Sequence, residues 1–217
     1  MRIRGAMLVM TLSLLASSCK GKLFPGGEGN QSPDPAASAS SDQAAQAGLV
    51  VLKSLVRSDN FQGLGFSSVD QVKSAQLSNP MKIYLIRLDG LTSYKGEIGA
   101  AALLQDAHKL IYPVTSGQQV VSSLSVMQRS DGWRATEFGN SALTRALVAH
   151  RESATDFVVW VPALKIYFTA RGSGNDLVLT PIMNDPRFGF QAGEAIPADR
   201  AFVALQKGAI GYNGLPQ

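Results

Sequence analysis

The chain has few residues of the kinds that carry acid–base or metal chemistry. Its two histidines, His108 and His150, have no second histidine and no cysteine at metal-ligand spacing. His150 stands near the end of a predicted helix, where the helix dipole favours a basic residue. A structural role for His150 is the simpler interpretation, and neither a metal site nor a cofactor is predicted.

Serine is the remaining type of candidate nucleophile. The segment GNSAL around Ser141 lies between a predicted strand and a predicted helix, but it lacks the second glycine of the G-x-S-x-G nucleophile elbow. Helix capping explains Ser141 more simply. Ser122 and Ser123 lie within a predicted strand, where a sheet position is the simpler interpretation. No serine therefore has the pattern of a nucleophile, and a Ser-His-Asp triad, which is recognised by geometry and not by sequence position, stays open as an alternative.

Glycoside hydrolysis would require two carboxylates at one cleft. Asp131 falls in a predicted turn, and Asp70 and Asp199 fall at predicted helix starts, so these three have structural explanations. We therefore expect a protein that is not an enzyme, with paired carboxylates as the open alternative. The acidic residues available are Asp59, Asp70, Asp89, Glu97, Asp106, Asp131, Glu137, Glu152, Asp156, Asp176, Asp185, Glu194 and Asp199.

Several aromatic residues fall on predicted strands. The simpler interpretation places them in the core of a sheet, and the alternative is an apolar groove or patch that meets a partner. These residues are Trp133, Phe138, Phe157, Trp160, Tyr167 and Phe168.

The start of the chain has the pattern of an export signal. A short basic segment, Met1–Arg4, precedes an apolar stretch from Ala6 to Leu15. This stretch is too short to cross roughly 30 Å of hydrocarbon as a helix. The small residues 16–18 then precede Cys19, which is the single cysteine of the chain, so no intramolecular disulfide is predicted.

Residues 15–19 (LASSC) resemble the lipobox of bacterial lipoprotein precursors, with Ala16 where leucine is usual. The resemblance implies that a signal peptide, residues 1–18, is removed and that Cys19 is lipidated. Two or three acyl chains would then anchor the protein durably in a membrane. Because Lys20 and not an aspartate follows Cys19, the resemblance implies the outer membrane of the bacterial cell envelope. The alternative is an ordinary signal peptide with Cys19 as a free thiol.

A flexible tether is predicted after the anchor, over residues 19–43. This segment is rich in Gly, Ser, Pro and Ala and cannot bury enough apolar surface to fold. Residues 44–217 then form a single domain. The net charge of +4 comes from scattered Lys and Arg residues, so nucleic-acid binding is not predicted.

The pattern of apolar residues predicts an α+β domain with a largely antiparallel sheet and helices packed on one face. The basis is a series of hairpins without strict strand–helix alternation, including one at Asp131-Gly132. Helices are predicted over residues 44–57, 67–77, 100–106, 141–152 and 198–207. Strands are predicted over residues 81–88, 109–115, 120–128, 133–138, 156–162, 165–171 and 177–182.

Together these observations predict an envelope lipoprotein whose domain binds or positions something without catalysis. Its partners would be the membrane, through Cys19, and an envelope protein. Two alternatives stay open at this point: a periplasmic hydrolase that acts on cell-wall material, and a carrier of an apolar small molecule.

Overall fold

A computed structural model describes residues 37–96 and 99–212, all of which belong to one compact unit. The predicted signal peptide, Cys19 and the tether up to residue 36 lie outside the described residues. The helices are α1 (Ser41–Leu55), α2 (Leu88–Thr92), α3 (Ser141–Ala149) and α4 (Ala198–Ile210). The strands are β1 (Ala75–Leu77), β2 (Met81–Leu85), β3 (Gln105–Ser116), β4 (Gln119–Arg129), β5 (Gly132–Phe138), β6 (Phe157–Val161), β7 (Ile166–Arg171), β8 (Val178–Pro181) and β9 (Ile196–Pro197).

The strands form a single mixed sheet in the order β5-β4-β3-β2-β6-β7-β8-β9, and β1 pairs with part of β3. Every pairing between neighbours is antiparallel except the central one, in which β2 and β6 run parallel. The predicted α+β class with a largely antiparallel sheet is therefore confirmed.

The sheet divides into two halves at this parallel pair. In one half the chain moves outward through β2, β3, β4 and β5 and then enters α3. In the other half it moves outward through β6, β7, β8 and β9 and then enters α4. A rotation of 180° about an axis parallel to the central strands would place one half of the sheet on the other. Such a rotation also exchanges the two faces of the sheet.

The helices follow from this arrangement. α1 and α4 share one face: α1 packs where Leu124 lies on β4, and α4 packs where Val159 lies on β6. α3 lies against the opposite face, with Leu147 beside Ile83 and Val158. The sequence predicts all helices on one face of the sheet. α1 and α4 do share a face, but α3 lies on the opposite face, because the 180° rotation that relates the two halves exchanges the faces.

The folded unit begins earlier than residue 44. α1 starts at Ser41, and the hydroxyl of Ser40 accepts a hydrogen bond from the backbone N–H of Gln43, 3.2 Å away. Ser38 also exchanges two backbone hydrogen bonds, of 2.8 and 2.9 Å, with Trp133 at the outer edge of β5. Residues 38–43 therefore belong to the folded unit and not to a free tether.

Two buried tyrosines form hydrogen bonds with the first turns of the long helices α1 and α4. The hydroxyl of Tyr112 donates to the carboxylate of Asp42 in the first turn of α1, 2.6 Å away. The hydroxyl of Tyr94 donates to Asp199 in the first turn of α4. Burial, reinforced by these carboxylates, raises the pKa of each tyrosine to about 12.

Three local predictions are wrong. The predicted helix over residues 67–77 is only a 3-10 turn, Asp70–Val72, followed by strand β1. The predicted helix over residues 100–106 is also a 3-10 turn, and β3 already begins at Gln105. The Asp131-Gly132 hairpin exists, but its two-residue loop is Ser130-Asp131, because Gly132 pairs with Arg129.

Candidate functional site

The face of the sheet that carries α3 contains a cavity with a volume of about 300 Å³. This volume is at the lower end of the range of pockets that hold small molecules. Strands β2 to β7 supply the floor, and the start of α3 supplies a wall. We call this cavity the sheet cleft and define it by Lys109, Ser125, Glu137, Asn140, Trp160 and Tyr167, which all line it.

An ion pair crosses the sheet cleft. The ammonium group of Lys109 lies 2.6 Å from both carboxylate oxygens of Glu137. The Lys109 side chain is only 14% exposed, whereas the Glu137 side chain is 60% exposed. The cation is therefore held inside the cleft while most of its partner faces water.

A β-bulge brings Glu137 to this face. Along β4 and β5, Val126 is opposite Ala135, but Ser125 is opposite Glu137, so Thr136 is an extra residue. In a regular ladder, with Thr136 paired like its neighbours, Glu137 would share a face with Ala135, which packs in the core under α1. The bulge re-aims the carboxylate into the cleft, an effect that bulges commonly have near binding sites.

An aromatic pair forms another part of the cleft. Trp160 on β6 and Tyr167 on β7 are direct partners in the ladder. Their rings are stacked with centroids 5.6 Å apart and planes 5° apart. Burial, and to a smaller degree the charge of Glu137, raises the pKa of Tyr167. The pair contributes aromatic, apolar surface to the cleft lining, against which a ring of a ligand can pack.

Small polar groups complete the lining. The hydroxyl of Ser123 donates to the backbone carbonyl of Gly139 and is thereby occupied. The Ser125 side chain is buried and faces the cleft, and its hydroxyl makes no hydrogen bond within the described residues. Asn140 precedes α3 with a left-handed φ of 57° and does not use its side chain to cap the helix. Ser125 and Asn140 therefore remain free to bind a ligand.

The residues considered for catalysis do not assemble. His108 is exposed, with its ring nitrogen 4.0 Å from the Asp106 carboxylate, and His150 ends α3 as its C-terminal cap. Ser141 is the first residue of α3, and in the described part of the chain no serine hydroxyl is hydrogen-bonded to a histidine ring. The described part of the chain also contains no group of His, Cys, Asp or Glu residues that could hold a metal ion.

Sequence reasoning missed the pairing of Lys109 with Glu137. Strict alternation from Trp133 assigns Glu137 to the other face of the sheet, and no local pattern announces the bulge at Thr136. Trp160 and Tyr167 lie on strands as predicted. They are partly buried against the core cluster under α3 and also line the cleft, so the core interpretation and the groove alternative both describe them in part.

Comparison with known proteins gives no relative: no family model, no curated protein and no solved structure matches the chain. Across residues 37–96 and 99–212, no helix has the length and apolar character needed to cross a bilayer. The features that bear on function are therefore the lipobox-like segment that ends at Cys19 and the sheet cleft.

Proposed function

We propose that the protein is a lipid-anchored protein of the bacterial cell envelope that binds a small molecule in the sheet cleft without catalysis. The observation that carries this proposal is the cleft itself, which combines aromatic side chains with a paired charge and free polar groups. Apolar contact together with polar groups that fix orientation is what a small-molecule site requires. The anchor rests on the lipobox-like segment that ends at Cys19.

The hydrolase alternative has less support from the cleft. Glu137 is the single carboxylate among the described residues that line it, and hydrolysis of a glycosidic bond uses two. Both oxygens of the Glu137 carboxylate also accept from Lys109, so this carboxylate already has a partner inside the cleft.

The apolar-carrier alternative also fits less well. Burying an apolar molecule against Lys109 and Ser125 would leave a charge and a hydroxyl without water or a partner, which costs free energy. A docking surface for an envelope protein remains a weaker candidate. Only two of the most exposed large apolar side chains, Val203 and Ile210, share an element, α4, whereas Val50, Val69 and Met183 lie on other segments.

The anchor is tested by palmitate labelling and membrane fractionation of the wild-type protein and of Cys19→Ser. We expect the wild-type protein to carry label and to sediment with membranes, and the variant to lose both. Unlabelled wild-type protein in the soluble fraction would contradict the anchor.

Binding is tested with phenylacetamide, a neutral ring compound, titrated by calorimetry into the detergent-solubilised full chain. At about 0.4 kcal/mol per non-hydrogen atom, its ten atoms give a Kd of about 1 mM. Trp160→Leu should abolish binding, and Trp133→Phe, which changes the tryptophan outside the cleft, is the matched control. Binding that survives Trp160→Leu would contradict the proposal, and so would a wild-type protein that binds neither phenylacetamide nor a charged compound with the same ring.

A further inference from the structure

Lys109 and Glu137 are unequal partners, and the inequality bears on what the cleft binds. The lysine side chain is largely withdrawn from water, and within the described residues both hydrogen bonds of its ammonium group go to Glu137. A cation with so little hydration depends on a nearby anion for its stabilisation. Glu137, by contrast, is mostly exposed, so water can replace Lys109 as its partner at little cost.

This asymmetry makes Glu137 exchangeable. A ligand carboxylate that enters the cleft can take over the ammonium group of Lys109 while Glu137 turns outward into solvent. The opposite exchange, in which a ligand cation takes over Glu137, would strand the ammonium group of Lys109 inside the cleft without a counter-charge. Lys109 and Glu137 are the only Lys, Arg, Asp or Glu residues in the described lining, so no other charge reverses this preference.

The hydroxyl of Ser125 offers a second hydrogen-bond donor for the ligand carboxylate. Ser125 is opposite Glu137 in the β4–β5 ladder, and its hydroxyl lacks a hydrogen-bond partner within the described residues. A carboxylate has two oxygens and accepts several hydrogen bonds, so it can use Lys109 and Ser125 together.

Resting on the proposed function, we infer that the sheet cleft is selective for a small organic anion. The ring of this ligand contacts Trp160 and Tyr167, its carboxylate binds Lys109 and Ser125, and Glu137 occupies the carboxylate position when the cleft is empty.

The experiment compares three probes that share one ring: phenylacetate, which is anionic, phenylacetamide, which is neutral, and phenethylamine, which is cationic. Each is titrated into the full chain in detergent. We expect phenylacetate to bind about ten-fold more tightly than phenylacetamide, because a charge-assisted hydrogen bond is worth about that factor. Phenethylamine should bind more weakly than phenylacetamide.

Variants then assign the selectivity to its residues. Lys109→Gln should make phenylacetate and phenylacetamide equal, and Lys109→Arg, which keeps the charge, should retain a preference for the anion. Glu137→Gln should tighten phenylacetate binding about three-fold, since it removes the competing carboxylate. Ser125→Ala should weaken phenylacetate several-fold and leave phenylacetamide unchanged. Circular dichroism of each variant separates lost binding from lost folding.

The outcomes distinguish the two proposals. If phenylacetamide binds through Trp160 and phenylacetate binds no better, the proposed function stands and the anion selectivity is overturned. Tighter binding of phenethylamine would also overturn it, in favour of Glu137 as the recognition group. A preference for phenylacetate over phenylacetamide that persists in Lys109→Gln would show that the carboxylate binds to residues other than Lys109. Failure of all three probes would count against the proposed function itself.

Discussion

α1 approaches the sheet closely at a glycine, and replacing this glycine gives a sharp test of the packing. A Cβ atom built on Gly48 would lie 2.7 Å from the Cβ atom of Ala135 and 2.6 Å from Cδ1 of Leu124. Carbon atoms in good contact are about 3.5–4.0 Å apart. The Leu124 side chain is fully buried, and the Ala135 Cβ atom is fixed to the backbone of β5, so neither can yield easily. In Gly48→Ala, α1 must therefore move about 1 Å away from the sheet.

The expected change in stability is the difference between two effects. Alanine stabilises a helix interior by about 1 kcal/mol relative to glycine. Overpacking a core costs about 1–3 kcal/mol. We expect Gly48→Ala to lower the free energy of unfolding by about 1 kcal/mol, measured by urea unfolding followed by far-UV circular dichroism. Gly208→Ala in α4 is the matched control. Its Cβ atom would lie 2.6 Å from the ring edge of Phe188, which is at the end of a side chain and can turn aside, and at an ordinary 3.8 Å from Cδ2 of Leu164.

A compensating variant tests the cause directly. Ala135→Gly removes the strand Cβ atom that opposes Gly48, so the double variant Gly48→Ala, Ala135→Gly should be more stable than the sum of the single changes by about 1 kcal/mol. The reasoning is refuted if Gly48→Ala alone makes the protein more stable, because helix propensity would then outweigh the contact. Additive effects in the double variant would also refute it.

Two further predictions concern local geometry and pH. Gly132 has a φ of 128°, and an added Cβ atom would lie 2.7 Å from the carbonyl oxygen of Ser38. Gly132→Ala should therefore lower Tm clearly more than Gly117→Ala, whose added atom would meet nothing, and equal changes in Tm would contradict the proposed contact. The pKa of Tyr94 and Tyr112 is about 12 in the folded protein, against about 10 when unfolded. The unfolded state thus loses these protons first, so the urea midpoint should fall as pH rises from about 10 to about 12, and Tyr94→Phe with Tyr112→Phe should remove most of that fall.

Much of the fold could be predicted because its strands are apolar, β-branched runs bounded by turn residues such as Ser116-Gly117 and Asp131-Gly132. The strands from β3 to β8 and the helices α1, α3 and α4 lie within a few residues of their predicted positions. The misses are short elements that tertiary contacts decide. Ala75–Leu77 reads as the end of a helix, but pairing with β3 turns it into strand β1. α2 has only five residues and carries a glycine, so its local propensity is weak.

The candidate site was less predictable for a different reason. Lys109 and Glu137 come together only because Thr136 is an extra residue in the ladder, and alternation cannot anticipate an insertion in the pairing. Gly48 is a second residue whose role depends on tertiary contacts that the sequence pattern does not show. In the sequence it is merely a poor helix former, whereas in the structure its missing side chain allows α1 to approach β4 and β5.

The division of the sheet at β2 and β6 has a consequence for how the chain reaches its native state. Within each half, every strand of the meander pairs with the next one along the chain, so those pairings close short loops. The parallel pair joins residues such as Ile83 and Val158, which are distant in sequence, and closing so long a loop costs more entropy. We expect this closure to be the rate-limiting step of refolding. Val158→Ala should then slow refolding measured by stopped-flow fluorescence, and a change confined to the unfolding rate would argue for a nucleus within one half.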